Sequence, residues 1–208
     1  MIRAAEILFA DHGIDGVGVR QIARAAGSAN SNVVAYHFGG KEELAAAVIL
    51  HRLPPIEARR AELLKASEGW PLSIVGLLDI LYRPLVEQTD EQGMRSYARF
   101  LAGIGRSGGM AVRSALSVYF PVTQQLIDAL RSAMPDATRP SFDARLQVAA
   151  AMIHMTIAMM DDGSEGRVRV PDFNDLMSMA AAALAAPMTD DNKRCTASGG
   201  CATEEATP

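Results

Sequence analysis

The chain has 208 residues, 49% of them hydrophobic, and a formal net charge of −4. That length supports a sizeable core, in one large domain or a small domain joined to a larger one. The acidic balance speaks against a protein that coats nucleic acid without regard to sequence, so any nucleic-acid contact must be local.

Helical periodicity dominates from the start. Ile2, Ala5, Phe9 and His12 share one stripe, and Gly13 closes that helix. The same stretch, MIRAAEILFADHG, carries Glu6 and Asp11 where a secretory leader would be basic and then purely apolar, so a cytoplasmic protein is expected. Val19, Ile22, Ala23 and Ala26 give a second, shorter stripe that stops at Gly27, and a third short segment ends near Tyr36. Lys41 opens a longer helix through Val48 to Leu53, with Glu42 and Glu43 suited to its N-terminal dipole. Pro54-Pro55 is expected to kink or end it.

The elements that follow are longer. Pro71 suits a helix start ahead of Leu72 to Glu87, with Pro84 a kink inside it. Arg95 to Ile104 reads as another helix, and glycines at 105–109 separate it from a long helix between Ala111 and Met134, bent at Pro121. Two helices close the pattern, on the stripes Leu146, Ala149, Ala150, Ile153, Ile157, Met160 and Phe173, Leu176, Met177, Ala180, Leu184. The apolar run at 152–160 is interrupted by His154 and Thr156. It falls short of the roughly 20 residues that cross a bilayer, so no membrane span is expected. The only two cysteines, Cys195 and Cys201, lie in a Ser-, Thr-, Gly- and Ala-rich tail, 188–208, expected to be disordered; they offer no basis for a disulfide framework or zinc site. No strand alternation or hairpin turn recurs, so the fold class is all-α, with about nine helices.

Catalytic patterns are weak. Gly103-Ile-Gly105-Arg-Ser-Gly108 has the spacing of a dinucleotide loop but follows a helix instead of a strand, which makes it an inter-helix turn. His12, His37, His51 and His154 are too scattered for a metal site, and Asp161-Asp162 reads as a solvated loop. No metal, cofactor or catalytic residue is expected.

Residues 19–41 have a specific geometry: two short helices joined by a glycine turn, the layout in which a second helix enters the major groove. The first leaves Arg20, Gln21 and Arg24 outward, and from Gly16 to Lys41 there are three cations and no acid in an otherwise acidic chain. Asn30, Ser31 and Asn32 stand at the start of the second helix, where they reach bases or phosphates, or cap the helix, or both.

The run AAEILFADHGIDGVGVRQIARAAGSANSNVVAYHFGGKEELAAAVI resembles the DNA-binding domain of TetR-type transcriptional regulators, through Phe9 with Gly13, VRQIARAAG and YHFGGKEEL. The resemblance implies a core of Phe9, Ile22, Ala23 and Phe38, base reading by Asn30, Ser31, Asn32 and Val33, and phosphate contacts from Tyr36, His37 and Lys41, beside the outward Arg20. This chain carries one residue more than the commonest pattern between Gly27 and Tyr36, and Gly18 replaces the usual Ser or Thr cap.

The implied organisation is a helix-turn-helix domain at 1–50 and a helical ligand-binding and dimerisation domain at 51–187. The implied partners are double-stranded operator DNA, a small-molecule effector and a second copy of the chain bound through the two C-terminal helices. Small residues at Ala149–Ala151 and Ala180–Ala183 add support for close helix packing there. Tyr97, Phe100, Met110, Tyr119, Phe120, His154 and Met155 are the candidate effector pocket, with His154 as its polar anchor. The expected function is a homodimeric repressor released from a pseudo-palindromic operator by the effector. The alternative is a helical small-molecule-binding protein or enzyme using the C-terminal cavity, with Asp161, Asp162 and His154 as its only catalytic groups.

Overall fold

A computed structural model describes residues 1–30, 32–68, 71–90, 92–106, 119–161 and 170–187. Among these the protein is wholly helical, with nine α-helices and no strand. They are α1 (Ile2–His12), α2 (Val19–Ala25), α3 (Val33–Phe38), α4 (Lys41–Ala66), α5 (Ile74–Glu87), α6 (Ser96–Arg106), α7 (Pro121–Ala133), α8 (Phe142–Met159) and α9 (Phe173–Ala185). No helix among the described residues is long and apolar enough to cross a membrane. The expected disorder of 188–208 lies outside the described residues.

The prolines depart from expectation in instructive ways. Pro54 and Pro55 do not end α4, which runs on to Ala66. Each removes one backbone donor, so the carbonyls of Leu50 and His51 lose their helical partners. All four residues are exposed, so the carbonyls that lose their partners face solvent instead of the core. The expected domain division at 50/51 therefore falls inside a continuous helix. Pro121, expected to bend a long helix, instead begins α7 at its first position, where a missing N–H costs nothing. Tyr119 and Phe120 stand before the helix and outside it. Pro71 also precedes its helix: α5 starts at Ile74 because the Ser73 hydroxyl accepts the Gly76 N–H at 3.2 Å. Gly103 and Gly105, read from sequence as a turn, lie within α6, while Ser107 and Gly108 are outside the described residues.

A single cluster of buried apolar side chains runs from Ala5 and Phe9 in α1 to Leu184 in α9. The small N-terminal unit is thus fused to the body. The expected core residues Phe9, Ile22 and Ala23 are 0%, 0% and 2% exposed, and Phe38 is half-buried against them. α1 leaves its own unit to lie along α6, where Phe9 meets Phe100 with ring centroids 6.3 Å apart. A Cβ on Gly103 would fall 2.8 Å from the Phe9 carbonyl oxygen. Only glycine admits so close a crossing of the two helices.

Candidate nucleic-acid interface and effector cavity

The turn between α2 and α3 is built by its own sequence. Gly27, at φ +74°, takes the left-handed conformation; its N–H donates to Arg24 O at 3.0 Å and Ser28 N–H donates to Ala23 O at 2.8 Å. This pair of bonds closes α2 and turns the chain toward α3. Asn30 Oδ1 then accepts the Asn32 N–H at 2.9 Å, which starts α3. Asn30 thus makes a local turn ahead of Asn32, the N-cap residue of α3. Asn32 is exposed and its side chain makes no capping bond, so its carboxamide stays available at the N-terminus of α3. Ser31 lies outside the described residues.

Val34 is fully buried and anchors α3, and Val33 is half-buried beside it. The opposite face presents Asn32, Tyr36 and His37. Tyr36 is 85% exposed and meets the His37 ring edge-on at 4.9 Å. A tyrosine so exposed gains nothing from the core, and its hydroxyl is free to meet a ligand. Arg20 and Arg24 are exposed on α2 nearby.

Lys41 is also engaged within the protein. Its ammonium donates to Ile14 O and Val17 O, each at 3.0 Å, and so clamps the connection between α1 and α2. One proton of the three remains for a phosphate. The first turn of α4 already holds an anion, since the Glu43 carboxylate folds back over Gly40: a Cβ there would lie 2.7 Å from Glu43 Oε2.

The junction of this unit with the body is ionic and buried. Glu6 of α1 is 1% exposed; it accepts from Arg52 Nε at 2.8 Å, from Arg52 Nη2 at 2.6 Å and from the Ser96 hydroxyl at 2.6 Å. One carboxylate thereby joins α1, α4 and α6. The bond to Glu6 raises the Arg52 pKa against the opposing effect of burial, so the guanidinium stays charged. Arg99 and Asp11 add an outer ion pair at 2.9 Å between α6 and α1.

Of the expected effector residues, Tyr97 and Phe120 come together. With Ile49, Leu53, Ile56, Arg60, Leu85 and Leu101 they line a cavity of about 20 Å³, room for a single water. Arg60 is 4% exposed, bonds Leu81 O through Nε at 2.9 Å, and is paired with Glu57 at 3.1 Å. Sequence reading missed it, because an arginine in a charged helical run looks solvated. Phe100 points the other way, into the α1 contact. His154 is buried edge-on against Tyr82, with centroids 5.6 Å apart, away from the cavity. Tyr119 and Met155 are exposed, at 56% and 39%, and Met110 lies outside the described residues.

Two family models match the chain: bacterial regulatory proteins of the tetR family over residues 1–48, and the tetracyclin repressor-like C-terminal domain over 79–187. The HTH-type transcriptional regulator SrpR of Pseudomonas putida is 33% identical over 91 residues, which is 44% of this chain and 42% of that protein. The HTH-type transcriptional regulator TtgW, also of Pseudomonas putida, is likewise 33% identical over 91 residues, 67% of its length. The chain thus spans less than half of the first of these relatives. Among solved structures, the TetR family transcriptional regulator PfmR from Thermus thermophilus shares 16% identity and a TM-score of 0.47, over 90% of this chain and 99% of that one.

Proposed function

The chain belongs to the TetR family of regulatory proteins, and from that premise we propose that it is a homodimeric repressor that binds a pseudo-palindromic operator and leaves it when a small molecule enters the body. The observation that carries the reading is the exposed face of α3, where Asn32, Tyr36 and His37 stand outward on a helix anchored by buried Val34. Asn32 reads a base edge, Tyr36 and His37 meet the backbone, and Arg20 and Arg24 supply the positive charge. Asn30 shapes the start of α3, and Val33 offers a methyl contact at its base. Lys41 gives its remaining proton to a phosphate.

Dimerisation is assigned to α8 and α9. Val148, Met155 and Met159 are 67%, 39% and 40% exposed and, with exposed Ala151, form one stripe along α8; Met179 of α9 is 51% exposed beside exposed Ala182 and Ala183. A surface stripe of that length in a single chain fits a second copy pairing by two-fold symmetry. The two recognition helices would then reach successive major grooves roughly 34 to 36 Å apart.

Release works through α6. Tyr97 and Leu101 on one side of this helix line the cavity, while Ser96, Phe100 and Gly103 on the other hold α1. A cavity of about 20 Å³ admits no effector without moving its walls. An effector that prefers the expanded state draws the population away from the DNA-binding geometry, through α6 and through α4. The enzyme alternative gains no support from the described residues, since Asp161 is held by the Arg95 guanidinium and backbone N–H and His154 is packed on Tyr82; Asp162 lies outside them. A gel shift with the promoter region beside its own gene tests the proposal. Binding at least tenfold tighter than to random DNA supports it, and equal binding refutes it.

A further inference from the structure

A second crevice, polar and roomy, lies outside the apolar cavity. It has a volume of about 380 Å³ and is walled by Arg3, Glu6 and Ile7 of α1, by Arg52 of α4, and by Thr89, Asp90 and Gln92 before α6. The volume suits a small metabolite, and junctions between domains are favoured places for one.

Two charged groups in it are only half used. Arg52 spends Nε and Nη2 on Glu6 and Ser96, and Nη1 has no acceptor among the described residues. In the segment before α6, Asp90 Oδ1 accepts the N–H groups of Gln92 and Met94, at 3.0 and 2.9 Å, while Oδ2 has no partner among the described residues. These bonds fix the Asp90 turn, and the Arg52 fork is fixed by Glu6, so both groups are held before any ligand arrives. Asp90 lies close enough to contribute to the raised pKa of Arg52. Both groups line the same crevice.

We propose that this crevice binds a small amino acid or hydroxy acid, whose carboxylate meets Arg52 Nη1 and whose neighbouring ammonium or hydroxyl meets Asp90 Oδ2. A guanidinium edge matches a carboxylate in plane, and the Asp90 carboxylate selects a donor on the adjoining carbon. An inorganic anion or a bare carboxylate satisfies only one wall. The occupant bridges α4 to the segment ahead of α6, beside the junction that Glu6 ties.

Isothermal titration of the full chain with L-serine, L-glutamate and L-lactate, each to about 10 mM, tests the site without DNA, so its failure leaves the operator reading standing. At least one of the three is expected to saturate one site per chain with Kd of about 1 mM or tighter, and acetate to bind at least tenfold more weakly. Ile7→Trp, at a position 47% exposed in the crevice wall, fills the space and abolishes binding with the circular dichroism unchanged. Asp90→Asn keeps the turn through Oδ1 and weakens the amino acids about tenfold. No saturable heat from any of the three, binding that survives Ile7→Trp, or equal affinity in Asp90→Asn overturns the proposal.

Discussion

Asn30 and Asn32 are two positions apart and serve different ends. Asn30 Oδ1 holds the Asn32 N–H, and Asn32 itself is uncommitted. Asn32→Ala is therefore expected to cost about 1 to 3 kcal/mol on the operator, concentrated at one base pair, and nothing on random duplex. Fluorescence anisotropy on both DNAs measures the difference. Lys41→Met acts on the fold. It strips a donor from the Ile14 and Val17 carbonyls, and each lost bond costs about 1 kcal/mol, so urea midpoints should fall even without DNA. Glu6→Gln should destabilise more, by about 3 kcal/mol, because it removes the partner of a half-buried guanidinium. The sequence made Asn32 and Lys41 visible as polar and charged residues in a helix-turn-helix. It did not show which groups were already spent on the protein's own backbone, since those partners lie as far as 27 positions away.

Helices were legible wherever a stripe of apolar residues repeated, and an end was legible where a glycine closed it, as Gly27 does at φ +74°. The Ser73 cap of α5 was overshadowed by Pro71. Prolines were ambiguous because their effect depends on what surrounds them. Pro54 and Pro55 sit on a solvent face that tolerates lost bonds, and Pro121 sits where none is lost. The meaning of Gly103 was hidden altogether, because a crossing partner in α1 has no local signal. Gly103→Ala should force α1 off α6 at a backbone contact of 2.8 Å, costing about 1 to 3 kcal/mol and weakening operator binding in the absence of any effector. Thermal unfolding and gel shifts on the purified variant read both effects. On α8, Val148→Asp places a charge in the exposed stripe; analytical ultracentrifugation should show monomer with unchanged helix content.

At the scale of the whole molecule, the small N-terminal unit and the body share one core, one long helix and one buried ion pair. The composition showed an acidic protein with a local basic segment, and the order of motifs showed the family. The pocket was the least legible part. Of the six expected residues that are described, Tyr97 and Phe120 line the cavity, because aromatic bulk in sequence does not separate a cavity wall from a helix contact or an exposed face. What unites the parts is α6, with the cavity on one side and α1 on the other.

The claim that all of this serves recognition of a two-fold operator is tested most directly by selecting the tightest binders from a pool of random duplexes with the purified protein. The account predicts an inverted repeat whose half-sites are centred about one helical turn apart, with preference at one position in each half lost in Asn32→Ala. A pool that yields no common sequence after repeated selection, bound no more tightly than the starting DNA, contradicts it.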